Sequence, residues 1–311
     1  MRVLFTGATG VIGREAIPQL LAAGHDVVGV SRSAAGRAWL DGIGATGVQV
    51  DLFDPASVGP AVSEVDAVAH FATAIPPRAQ MPKLDAWHMN DRLRTEATAI
   101  LVDAAIAHGT QRFVQESITF IYADGGEEWI DEESAVEPAW ESLHSALDAE
   151  GEVARFVEHG GTGVTLRMSS LYGPGRVSSE QIAAVAERNA PIVGPGENFV
   201  SHLHIEDAGS SVAAAMSAPT GTYNVSDDEP VTSRQDLEAL ARALGVRPPR
   251  RIPAPVARVA AGRATGLLTT SQRVSNQKFK TATGWSPLYR SVLEGWEPVV
   301  AAWRSAGASN A

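Results

Sequence analysis

Near the start of the chain, Thr6-Gly7-Ala8-Thr9-Gly10-Val11-Ile12-Gly13 follows the apolar run Val3-Leu4-Phe5 and opens a helical pattern. Three glycines at this spacing permit a tight strand-to-helix turn, close approach of a pyrophosphate and tight packing of helix on strand. The free N–H groups at the helix start then face the phosphates. The turn predicts a dinucleotide site formed by Gly7, Thr9, Gly10, Val11, Ile12 and Gly13.

A turn of this kind belongs in a parallel sheet, and the following sequence supplies one. Short β-branched runs at 27–30, 48–50 and 67–71 alternate with helical patterns, of which the longest extends from Leu84 to His108. A strand at 112–116, a helix at about 141–159 and a strand at 164–167 continue the alternation. We expect an α/β protein with a Rossmann, doubly wound parallel sheet over residues 1–171. From Tyr172 the breaks Gly173-Pro174-Gly175, Gly194-Pro195-Gly196 and Pro248-Pro249 shorten the elements. Residues 172–311 are expected to form a smaller, interleaved substrate-binding lobe, with a segment within 200–226 completing the sheet and a frayed tail after Ser305.

Composition removes several partners. Thirty-six acidic against 25 basic residues give a net charge of −11, which repels nucleic acid and anionic lipid. No run approaches the roughly 20 apolar residues that span a bilayer. The chain has no cysteine, so disulfides and thiolate metal sites are excluded, and a cytoplasmic location is expected for a monomer or homodimer. His202, His204 and Asp207 lie close in sequence, but their position before a helix predicts a pocket wall and a cap, not a metal site.

The second strand chooses the cofactor. An acid at its end would bind the ribose hydroxyls of NAD, whereas this strand ends Val30-Ser31-Arg32-Ser33. Arg32 is suited to pair with a 2′-phosphate, with Ser31 as a further donor, so NADP(H) is the expected cofactor. Asp51-Leu52, after the third strand, is placed for an adenine-edge contact.

Taken in order, these motifs resemble the extended short-chain dehydrogenase/reductase family. The resemblance includes His70-Phe71-Ala72-Thr73, Asn90 with Thr95 matching and Arg94 replacing a glycine, Arg112-Phe113-Val114, Leu166-Arg167, Leu171-Tyr172-Gly173-Pro174-Gly175, His204-Ile205-Glu206-Asp207 and Gly284-Trp285-Ser286-Pro287. It implies that Phe71, Ala72, Thr73, Asn90 and Met168 also contact the cofactor.

The catalytic pattern departs from that family, whose members use a Ser or Thr after strand five and a Tyr-x-x-x-Lys helix. The four tyrosines stand at 122, 172, 223 and 289 and the only lysines at 83, 278 and 280, so no alignment restores the pair. With Glu152 as the helix anchor, His144 and Asp148 occupy the two positions. With Glu150 as the anchor, Ser142 and Ala146 do. Counting back from Tyr122 puts Ile118 at the hydroxyl position, flanked by Ser117 and Thr119.

Hydride transfer itself needs only a posed nicotinamide and an electrophile. The missing function is stabilisation of an oxyanion. Ser117 and His144 are the candidate catalytic residues, and Ile75, Thr119 and His204 the candidate substrate contacts. The alternative is a substrate that carries its own donor, such as a phenol beside a ketone. The motif losses and Arg32 are most similar to the ketoreductases that act on angucyclinones, of the simocyclinone-pathway type. They imply NADPH-dependent reduction of a ketone on a bulky aromatic polyketide. Sugar-nucleotide epimerisation or dehydration, and non-catalytic cofactor sensing, are the rival expectations. The run Ile75-Pro76-Pro77 and the loop from Asp124 to Trp140 are expected to cover a flat ligand as a mobile lid.

Overall fold

The computed structural model describes residues 1–261, 266 and 269–308. Its centre is a seven-stranded parallel sheet. Strands β1 (Arg2–Thr6), β2 (Asp26–Val30), β3 (Thr46–Val48), β4 (Ala67–His70) and β5 (Arg112–Ile118) precede a short β6 (Trp129–Ile130) outside the sheet. After β7 (Thr162–Met168), the second lobe supplies β8 (Ser170–Tyr172), β9 (Ile192–Val193), β10 (Phe199–Val200), β11 (His202–His204), β12 (Gly221–Val225), β13 (Val231–Thr232), β14 (Arg251–Ile252) and β15 (Arg273–Val274). The sheet order is β12-β7-β5-β4-β1-β2-β3. Chain direction away from β1 reverses between β1 and β4, the crevice where open sheets of this kind bind ligands.

Helices cover both faces because buried parallel strands are apolar on both sides. Val3, Phe5, Ala69, Val114 and Leu166 meet α1 (Val11–Ala22), α2 (Ala34–Gly42) and the helix Ile205–Ala215 on one face. Leu4, Val28, Val68 and Phe113 meet α3 (Pro55–Val62) and the helices Thr98–Ala107 and His144–Glu158 on the other.

The region 84–108 is not one helix. It consists of a 3₁₀ turn at Leu84–Trp87, α4 (His88–Arg92), a π turn at Leu93–Ala97 and α5 (Thr98–Ala107). The apolar periodicity hides this break, since a π turn adds one residue without leaving the helix axis. The extra residue also explains why Thr95 lies one place further from Asn90 than the Asn-x-x-Gly-Thr pattern has it. The next helix likewise starts late, with a 3₁₀ turn at Glu141–Leu143 before α6 (His144–Glu158).

The second lobe contains α7 (Arg176–Ala186), α8 (Ile205–Ala215), α9 (Ser233–Leu244), α10 (Ala254–Ala261), α11 (Gln277–Thr283) and α12 (Val292–Ala308). Its own core gathers Tyr172, Ile182, Leu240, Trp296 and Val299. Yet the lobes interleave: β12 joins the main sheet beside β7, and α8 packs on α1. The frayed tail expected after Ser305 falls partly on helix α12, which continues to Ala308, while residues 309–311 lie outside the described residues. Among the described residues no helix is long and apolar enough to cross a membrane.

Candidate active site

The glycine turn is built for backbone contact. Gly7 has φ +72°, and a Cβ there would stand 2.3 Å from the Phe71 carbonyl oxygen. At Gly13 a Cβ would meet the Gly7 carbonyl oxygen at 2.5 Å, so this glycine lets α1 press on the turn. Gly10 N–H closes the turn by donating to Gly7 O at 2.9 Å. Gly10 caps α1 without a side-chain hydrogen bond, leaving the helix's first N–H groups for an anion. These residues fit the pyrophosphate of a nicotinamide dinucleotide. Val11 is exposed at the helix start while Ile12 packs in the core beneath it.

Arg32 is exposed beyond β2. Arg37 braces its loop by donating to the carbonyl oxygens of Ser31 at 3.1 Å and Arg32 at 3.3 Å. Ser33 caps α2 by accepting from Gly36 N–H, and a Cβ at Gly36 would strike the Ser31 hydroxyl and approach the Thr9 methyl. Ser31, Thr9 and the start of α2 therefore share one corner. Asp51 is exposed, with one carboxylate oxygen accepting from Phe53 N–H at 3.0 Å, and Leu52 is buried. Phe71 stacks on Phe5 with ring centroids 5.3 Å apart, Ala72 is half-buried, Thr73 is exposed and Met168 is buried at the end of β7.

Asn90 is fully buried and accepts from Ala74 N–H at 3.1 Å, tying α4 to the segment after β4. One turn on, Arg94 donates from Nη2 to both oxygens of Glu116 at 3.0 and 3.1 Å. Burial pushes the Glu116 carboxyl up, against the attraction of Arg94. The π turn also leaves the Leu93 carbonyl able to accept from the Thr98 hydroxyl and from His70 Nε2 at 3.1 Å. Since a carbonyl only accepts, Nε2 carries the proton and Nδ1 accepts from Thr6 at 2.5 Å. Burial pushes His70 down to about 4, so the ring is neutral.

The two candidate catalytic residues are placed otherwise than expected. Ser117 is buried and donates to Glu150 at 2.6 Å. Glu150 also receives Arg167 through Nε at 2.9 Å and Nη2 at 2.6 Å. Arg167 continues to the Tyr122 hydroxyl at 2.7 Å, which donates to Asn224 at 2.7 Å. The Ser117 hydroxyl is thus the end of a buried bracket joining β5, α6, β7 and β12, with its proton committed. His144 is exposed at the first position of α6 and bonds through Nδ1 to the Glu141 carbonyl at 3.0 Å. It serves the helix start.

The same bracket distinguishes the two possible helix anchors in the fold. Glu150 faces the sheet, whereas Glu152 holds Arg155 at 2.6 Å near Asp103. With Glu150 as the anchor, Ser142 and Ala146 stand at the positions expected for the tyrosine and lysine. Ser142 has a buried hydroxyl without a hydrogen-bond partner, and Ala146 is fully buried. Neither is a tuned acid.

Beyond the ends of β5 and β7, Thr119, Phe120, Ala139, Phe199, Val200 and Gln272 line a small cavity. Thr119 is buried, its hydroxyl 3.5 Å from Ser169. Among the described residues no charged side chain lines this cavity. Ile75 is 48% exposed. His204 does not reach the cavity: it caps α8 through Glu206 N–H and lies between Tyr172 and Tyr289, at 5.1 and 3.9 Å. Asp207 accepts from Leu288 and Tyr289 N–H, and no metal-binding cluster is present among the described residues. The loop expected as a mobile lid is tied at two points in this structure: β6 pairs with β15, and Ala123 N–H reaches Ala135 O at 3.0 Å. Of its tryptophans, Trp140 packs on Trp87 at 6.5 Å in the interior and only Trp129 is half exposed.

Comparison with known proteins follows this geometry. Residues 3–226 match the model of the NAD dependent epimerase/dehydratase family. A 3-diazoavenalumate denitrifying reductase of Streptomyces is 37% identical over 95% of this chain and 99% of its own length. A 2-alkyl-3-oxoalkanoate reductase of Stenotrophomonas maltophilia is 26% identical over 79% of this chain and 76% of its own. Among solved structures, the UDP-glucose 4-epimerase of Thermus thermophilus in complex with NAD is similar in fold, with a TM-score of 0.78 at 24% identity over 98% of this chain and all of that one.

Proposed function

Because the chain belongs to the NAD dependent epimerase/dehydratase family, an NAD(P)-dependent enzyme class with reductase relatives, we propose that it is an NADPH-dependent reductase of an aromatic electrophile that requires no acid from the protein. One observation carries this reading: the glycine cradle is complete, while the helix position that should hold the acid is Ser142 and that of its lysine is Ala146. NADPH, when bound, supplies the hydride. The preference for it over NADH rests on Arg32 and the absence of a carboxylate at the end of β2.

The protein's residues bind, orient and dry the site. Gly7, Gly10 and the α1 terminus hold the pyrophosphate, and Asn90 fixes α4 to the segment after β4. The uncharged lining at Thr119, Phe120 and Phe199 favours a flat apolar ligand. An oxyanion formed there would be costly without a donor. An arenediazonium group avoids that cost. On taking up a hydride the ring carbon gains a C–H bond, and the C–N pair departs with dinitrogen. No oxygen charge develops and no proton is needed. The denitrifying relative, similar along nearly the whole chain, favours this acceptor.

A ketone flanked by a phenol, as in angucyclinone-like polyketides, is the second reading. The phenol supplies the missing donor, and the oxoalkanoate reductase relative favours carbonyl reduction. Sugar-nucleotide chemistry, which requires a tyrosine base on α6, has no residue to perform it. We place the enzyme in the cytoplasm, acting on a small molecule of antibiotic-type secondary metabolism.

Incubation with NADPH and either an arenediazonium carboxylate or a phenolic polycyclic ketone tests the reading. Cofactor oxidation with stoichiometric dinitrogen supports the first acceptor, and alcohol formation the second. Tight NADPH binding with turnover of neither overturns the reductase reading.

A further inference from the structure

The cavity beyond β5 and β7 has polar lining groups, but they are already engaged. Ser201 Oγ donates to Gln272 O and accepts from Val274 N–H, Gln272 Nε2 donates to Tyr122 O at 2.8 Å, and Thr270 donates to Gly266 O at 2.7 Å. Among the described residues an ionised group inside would find no opposite charge, only the second N–H of Gln272. Such a group is tolerated only at the rim.

Against Phe199, one wall of that cavity, stands Arg273. It follows Gln272 and pairs in register with Trp129 of β6. Its guanidinium lies 4.2 Å from the Trp129 ring centre and 5.0 Å from that of Phe199, whose side belongs to the cavity wall. Backbone bonds fix this arrangement, with Gln272 N–H donating to Phe199 O at 2.9 Å. Among the described residues Arg273 has neither a carboxylate partner nor a hydrogen bond from its side chain, and its Nε is buried unpaired. A guanidinium clasped between two aromatic rings has lost most of its freedom, while its planar fork remains matched to a carboxylate. In a chain of net charge −11 this is a cation without a carboxylate partner, beside a cavity whose described lining is uncharged.

We propose that Arg273 anchors the carboxylate of an anionic aromatic substrate whose ring packs over the mouth of the cavity lined by Thr119, Phe120 and Phe199. This rests on the reading of that cavity as the substrate site, and it narrows the substrate class from aromatic electrophiles to aromatic carboxylates. The neutral polycycle of the second acceptor makes no use of Arg273.

The test is binding, so that it stands apart from turnover. The full-length protein with NADP⁺ is titrated with 4-hydroxycinnamate and with methyl 4-hydroxycinnamate by isothermal calorimetry, as wild type, Arg273→Gln and Arg273→Lys. Wild type binds the acid at least about tenfold more tightly than the ester, since a hydrogen bond to a charged group contributes about 1.5–3 kcal/mol. Arg273→Gln loses that preference by weakening the acid alone, Arg273→Lys retains part of it, and NADP⁺ affinity is the same in all three. The proposal is overturned if wild type fails to bind the acid, if acid and ester bind wild type equally, or if Arg273→Gln weakens both to the same degree. Retained acid selectivity without hydride transfer to any acceptor counts against the reductase reading and leaves the anchor intact.

Discussion

The Ser117 hydroxyl donates to Glu150 across 2.6 Å, and Glu150 is already clasped by Arg167. A hydroxyl held this way stabilises the junction of strand and helix, and is not positioned as a proton donor to a substrate. Ser117→Ala and His144→Ala are therefore expected to lower kcat by less than about tenfold. Steady-state kinetics decide the matter, because a positioned acid contributes about 10²–10⁴ and a loss of that size from either change restores a protein acid. Ser117→Ala costs about 1–3 kcal/mol of stability, read from urea unfolding, through the bond Glu150 loses.

Arg32 is exposed beyond β2, with Arg37 bracing the loop that carries it. Arg32→Ala is expected to raise the Kd for NADPH by about tenfold or more, the scale of a charge-assisted contact, while the Kd for NADH changes little. Equal losses of both, measured by fluorescence titration, remove the 2′-phosphate assignment.

The buried pair of Arg94 and Glu116 joins the π turn to β5, with side chains 1% and 8% exposed. Arg94→Met leaves the Glu116 carboxylate in a dry site and is expected to cost about 3–5 kcal/mol. The double variant Arg94→Met, Glu116→Leu is expected to recover most of it. Thermal melts of the two single variants and the double form the cycle, and an additive result means that the pair is not coupled.

His70 gives the fold an acid limit. The unfolded chain binds a proton near 6.5, while the buried ring does so only near 4, so stability present above 6.5 is lost as pH falls through that interval. The difference in unfolding free energy between wild type and His70→Asn is expected to shrink by on the order of 3 kcal/mol from pH 6.5 to pH 4. Taking the difference cancels the other buried groups. A pH-independent difference contradicts a neutral, buried His70.

The strand-to-helix glycine turn was legible because its rules are local. A Gly-x-x-Gly-x-x-Gly turn needs its glycines wherever it occurs, as the close approach at Gly7 and Gly13 shows. The catalytic half depends on which helix face meets the sheet. Glu150 and Glu152 lie about 200° apart around α6, yet only the distant Arg167 distinguishes them. With Glu150 as anchor, His144 leaves the site and Ser142 enters it. His204 misled for a similar reason: its sequence suits a pocket wall, while its ring caps α8 between two tyrosines. Arg273 carried no motif at all. Its meaning depends on Trp129 and Phe199, brought to it from two other segments.

The π turn at Leu93–Ala97 has a consequence for how this chain tolerates change. One surplus residue re-phases the helix by about 100°, so Asn90 on one side and the Phe113-facing side of α5 on the other are each set in their own registry. Removing a residue there would act like a slipped gear tooth, turning Asn90 away from Ala74 and Arg94 away from Glu116 together. The buried cation and the surplus residue beside it thus stand or fall together in this fold.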